Sequence, residues 1–82
     1  MESIGNFGTA VTMLKIGRRV SRSGWNGGGV WLQLQMPDAN SKMTLPYIYI
    51  EYPPGHTAYP NGCRVPWLAS HTDMLSDDWW VL

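Results

Sequence analysis

Eighty-two residues carrying six Lys+Arg against six Asp+Glu give zero formal net charge, which allows one thin-cored domain and withholds the basic footprint that long DNA or RNA requires. A lone cysteine, Cys63, excludes an intramolecular disulfide. No apolar run approaches the ~18–20 residues of a membrane span, and the N-terminus lacks a charged region followed by an apolar one, so the expected location is the cytoplasm.

The first predicted element is a helix over 7–16. Asn6 can cap it, Phe7, Ala10, Val11 and Leu14 recur at helical spacing as one apolar stripe, and Gly17 stops it. A short extended piece follows at 19–22. Lys15, Arg18, Arg19 and Arg22 crowd this first quarter, as a patch able to hold one small anion or as a solvated face.

Arg22-Ser23-Gly24-Trp25-Asn26-Gly27-Gly28-Gly29 then sets an aromatic plane and an amide beside glycine backbone. A Trp face stacks on a base, Asn26 can donate and accept, and open glycine N–H groups such as that of Gly27 suit phosphate oxygens. The alternative is a hairpin loop capped by a packing Trp.

Val30 to Met36 alternates, with Val30, Leu32, Leu34 and Met36 on one face and Trp31, Gln33 and Gln35 on the other. A turn cluster at 37–41 leads to a second alternating run at 47–52, where Ile48 and Ile50 oppose Tyr47, Tyr49 and Glu51. Residues 53–62 read as loop, and 64–68 as a short strand that Pro66 confines to an edge or end. Ser70 can cap a brief helical turn through Leu75, and 79–82 reads as a terminal strand. The expected architecture is α+β, a single domain over 1–82 in which a small antiparallel sheet carries one main N-terminal helix and a short helix before the C-terminal strand.

Catalytic constellations are weak. Ser70, His71 and Asp73 are the types of a hydrolytic triad, but so close in sequence they cannot align as nucleophile, base and orienter. His56, Cys63 and His71 lack the close ligand pair that nucleates a metal site. Asp73, Asp77 and Asp78 are explained by capping and by charge on a solvated helix end. No catalytic residue, metal or cofactor is expected. Binding fares better, because Trp67 precedes a helix start where free N–H groups and the hydroxyls of Ser70 and Thr72 can receive a phosphate or ribose; the alternative is a Trp67 that plugs the core.

The blocks Asn6-Phe7-Gly8, Gly24-Trp25-Asn26-Gly27, Leu45-Pro46-Tyr47-Ile48-Tyr49 and Val65-Pro66-Trp67-Leu68-Ala69-Ser70-x-Thr72-Asp73-Met74-Leu75 resemble the second family of phage Thoeris anti-defence proteins. That resemblance runs from about Asn6 to the C-terminus. It implies a non-catalytic sponge in the cytoplasm of the infected bacterial host, sequestering the cyclic ADP-ribose isomer made by TIR-domain enzymes, with cyclic dinucleotides held in separate pockets by some members. It further implies a homotetramer of two dimers with ligand at a subunit interface, contacted by Trp25 and Asn26, and with Trp67 as a second stacking ring. The candidate ligand-binding set is Arg22, Trp25, Asn26, Gly27, Trp67, Ser70, Thr72 and Asp73. A signal-degrading enzyme and a structural or protein-interaction module are the competing readings.

Energetically, a sponge needs roughly −12 kcal/mol, a nanomolar dissociation constant. Two Trp faces at about 1–3 kcal/mol each and three hydrogen bonds to charged phosphate at about 1.5–3 each reach that only from a preformed pocket. A nucleotide-sized pocket of ~300–1,000 Å³ is large for so small a core, which favours walls from two chains.

Overall fold

The computed structural model describes residues 2–25 and 29–82. In chain order its elements are β1 (Glu2–Gly5), α1 (Phe7–Lys15), β2 (Val20–Arg22), β3 (Trp31–Gln35), β4 (Tyr47–Tyr52), β5 (Cys63–Pro66), α2 (His71–Leu75) and β6 (Trp79–Val81). One six-stranded sheet runs in the order β1-β6-β2-β3-β4-β5, every neighbouring pair antiparallel. The expected α+β architecture holds, helix for helix.

Local chemistry explains the helix limits. Asn6 is extended and its side chain accepts from the Thr9 N–H at 2.8 Å, satisfying one donor that the helix leaves open. At the other end Gly17 takes φ 89°, a left-handed turn that costs glycine little, and the chain leaves the axis there. The predicted stripe is the packed one: Ala10 and Leu14 are fully buried, with Phe7 partly so.

Period-two alternation sets the sheet's inner face. Register brings Val81, Val20, Leu32, Ile50 and Val65 side by side across five strands, an apolar row whose first three members lie under the helix. The outer face carries Trp31, Gln33 and Tyr49, and among the described residues no helix lies over it. There Arg19 lies over the Trp31 ring at 5.1 Å, Arg64 over Tyr49 at 5.5 Å, and the Tyr49 hydroxyl donates to Gln33 at 3.0 Å.

One strand was not expected from the sequence. β1 is an additional strand: it has one large apolar residue, Ile4, and exists because it pairs with β6. The C-terminal strand expected at 79–82 is present as β6, inserted between β1 and β2, so Trp79 ends up wholly buried.

A nine-residue helix is about 13 Å long and 10 Å wide, whereas six strands at about 4.8 Å spacing span roughly 24 Å. α1 accordingly packs on β1, β2, β3 and β6 and does not reach the β4–β5 third of the inner face. That end of the sheet holds the candidate site.

Candidate functional site

Asp73 organises the region. One of its carboxylate oxygens accepts from Arg22 at 2.7 Å and from the Trp25 indole N–H at 3.1 Å; the other accepts from the Ser70 N–H at 3.2 Å. Its own N–H donates to the Ser70 hydroxyl at 3.0 Å, closing a capping box on α2, and its carbonyl accepts from the Trp79 indole at 3.0 Å. Arg22 reaches further, from Nε to Asp78 at 2.8 Å, and Asp78 accepts the Gly24 N–H at 2.8 Å. Strand, glycine loop, short helix and terminal strand thus meet on one aspartate, the first three at its carboxylate and the last at its backbone carbonyl.

Burial pushes the Asp73 carboxyl up, but hydrogen bonds from Arg22, Ser70 and Trp25 outweigh it and hold the group below the ordinary carboxylate range. Asp78 is lowered chiefly by the hydrogen bond from Arg22, against a smaller opposing effect of burial. Both stay ionised, and with one cation between two carboxylates the cluster keeps a formal charge of −1 (+1 − 2).

Above this cluster Phe7, Trp25, Trp67 and Trp79 pack ring on ring. Trp79 lies at the centre, 5.4 Å from both Phe7 and Trp25 and 6.1 Å from Trp67 between ring centroids. Trp25 and Trp67 are 6.4 Å apart with planes inclined at 60°, a tilted contact between two rings that also pack against the core. Both rings line a cleft of about 400 Å³, together with Tyr52, His56, Leu68 and Asp73.

The expected site residues therefore divide. Trp25, Trp67 and Asp73 converge on the cleft. Arg22 stands behind it with its guanidinium taken by two carboxylates. Ser70 uses its hydroxyl to cap α2, and Thr72 is exposed in that helix's first turn. Asn26 and Gly27 lie outside the described residues. The early cations do not act together: Arg22 is paired, Arg19 covers Trp31, and Arg18 donates to the Leu82 carbonyl at 3.2 Å. Asp73, expected on a solvated helix end, is 9% exposed because Arg22 draws it inward.

Tyr52 and His56 were not legible as cleft residues. Tyr52 ends a strand and His56 sits in a Pro/Gly loop, and neither position carries a periodic or spacing signal. A larger cleft of about 660 Å³, bordered by Met43, Leu45, Tyr47 and Arg64 on the outer face, contains none of the expected site residues.

A family model for the Thoeris anti-defense 2-like domain matches residues 5–82. The chain belongs to this family. It is also 32% identical over 87 aligned residues to Thoeris anti-defense 2 of Bacillus phage SP01, with 96% of each chain covered. Family membership supports a phage anti-defence role and is not membership of a recognised enzyme class. Within the family match fall both the Trp25 loop and the Trp67–Asp73 segment that the fold joins.

Proposed function

We propose that the protein is a sponge: it captures the cyclic ADP-ribose isomer made by TIR-domain enzymes, and in a second capacity cyclic dinucleotides, and holds the signal unmodified so that the effector is never triggered. The observation that carries this reading is the convergence of Trp25 and Trp67 on one polar-floored cleft, since aromatic faces beside a few fixed polar groups are what nucleotide recognition uses. The Trp25 ring is tied to Asp73 and the Trp67 ring packs against it, so little ordering remains to oppose binding.

Sequestration is favoured over degradation by how Ser70, His71 and Asp73 are used. The Ser70 hydroxyl and the Asp73 N–H complete a helix cap, and an aspartate already accepting from three donors and held ionised is a poor base. The protein acts in the host cytoplasm as a homotetramer of two dimers with ligand at a subunit boundary. The helix-free outer face and the exposed Met36, Met43 and Leu45 supply surface for self-association.

The test is to incubate the protein with the isomer, remove free ligand, heat-denature and chromatograph the supernatant. Stoichiometric recovery of unchanged isomer supports the sponge. Altered product at substoichiometric protein means an enzyme, and no uptake by folded protein means an interaction module. Trp25→Ala combined with Asn26→Ala is expected to abolish capture; because Trp25 also anchors Asp73, far-UV circular dichroism must show that the variant is folded.

A further inference from the structure

The cleft has a second wall that the family-matched aromatic pair does not explain. Residues 53–62 fold back on themselves through short-range hydrogen bonds: Gly55 N–H to the Pro60 carbonyl at 2.7 Å, Gly62 N–H to Tyr59 at 2.8 Å, and Tyr59 N–H to His56 at 3.2 Å. Tyr52 on β4 then packs against both His56 and Tyr59, with ring centroids 4.8 and 4.7 Å away. The loop is thereby held against the sheet with His56 at the cleft.

The ring's protonation is constrained too. Its Nδ1 accepts the Ala58 N–H at 3.1 Å, so the neutral imidazole carries its hydrogen on Nε2, the donor it has left to offer. Charge within the cleft is one-sided. Asp73 is an anion backed by a cluster of net negative charge, and His56, with an N–H to donate, lines the cleft away from that cluster. An anionic ligand is repelled at the Asp73 end, which suits hydroxyl and amino donors, and tolerated at the other.

Resting on the sponge reading, we propose that His56 is the phosphate-facing residue of this cleft: its Nε2–H donates to a phosphate oxygen of the bound nucleotide, whose sugar or base donors turn toward Asp73. The β4–β5 loop thus sets which way round the ligand lies.

Calorimetric titration of the TIR-made cyclic ADP-ribose isomer into wild type, His56→Phe, His56→Gln and Trp67→Ala tests this. His56→Phe keeps the ring packing but loses the donor and is expected to bind about tenfold more weakly, a change of about 1.4 kcal/mol. His56→Gln restores an N–H and is expected within about threefold of wild type, since one neutral donor replaces another. The phosphorus resonances of the bound isomer are expected to differ between wild type and His56→Phe. Wild-type affinity in His56→Phe, equal loss in both His56 variants, a loss that tracks a lowered melting temperature, or unmoved phosphorus resonances would each overturn the assignment. If wild type binds and Trp67→Ala does not, the cleft stands whatever His56 does; if wild type takes up nothing, the sponge reading falls and this assignment with it.

Discussion

The Trp25–Trp67 wall of the cleft is held by contacts between distant parts of the chain, Arg22 reaching Asp73 and Asp78 across 51 and 56 positions, whereas the Tyr52–His56–Tyr59 wall is held by backbone bonds within one loop. The first exists only once the sheet has assembled and should fail with the whole domain. The second can loosen by itself while the sheet stays folded. Pre-organisation of one cleft thus comes from two independent sources, one global and ionic, the other local and steric.

The sharpest way to break the global wall is Asp73→Ala. It leaves the Trp25 indole and the Ser70 N–H without their acceptor while Arg22 keeps Asp78, and a part-buried donor left unpaired costs about 1–3 kcal/mol. Urea unfolding should show the midpoint falling with an unchanged slope; an unaltered midpoint would mean that Asp73 is not the anchor.

Acid should act on the same wall. Asp73 and Asp78 titrate below the ordinary value of 3.8 in the folded protein, so their contribution is fully present above that value and is lost as pH falls through the lowered folded values. Melting temperature followed from neutral pH into that range is expected to fall more steeply in wild type than in Asp73→Asn combined with Asp78→Asn. Parallel curves would remove the clamp from the account.

For the local wall the corresponding change is Gly62→Ala. Gly62 has φ 75°, and an added Cβ would meet the Tyr52 carbonyl oxygen at 2.9 Å and the Pro54 nitrogen at 3.1 Å, a strain of about 1–3 kcal/mol. Hydrogen exchange should speed up in 53–62 before it does in β2 or β6; simultaneous acceleration everywhere would erase the distinction between the walls. The smallest effect is expected from Arg64→Ala. Its ion pair with Glu51 is exposed on the arginine side, and scanning calorimetry should find no resolvable shift in melting temperature.

Much of the frame was readable residue by residue. Asn6 and Gly17 bracket α1 because caps are short-range chemistry, and the alternation in 31–35 and 47–52 announces strands because one face of each is buried. Pro66 does sit on the edge strand, as a residue without an N–H must. β1 was missed for the complementary reason: Glu2-Ser3-Ile4-Gly5 has no pattern of its own and is a strand by virtue of what β6 offers it. At the site, Trp25, Trp67 and Asp73 stood out from motif blocks, but their meeting did not.

What the amino-acid order determined by itself was everything set by neighbours within a few positions: caps, periods, turns, and the family to which those blocks belong. Tertiary structure alone decided that β6 lies inside the sheet, that a short helix does not reach the β4–β5 end of one face, and that Asp73 turns inward to Arg22 rather than outward to water. The physical reason is that an ion pair or ring contact between remote segments has no period and no fixed spacing; it becomes favourable only after the backbone has brought both partners out of water together.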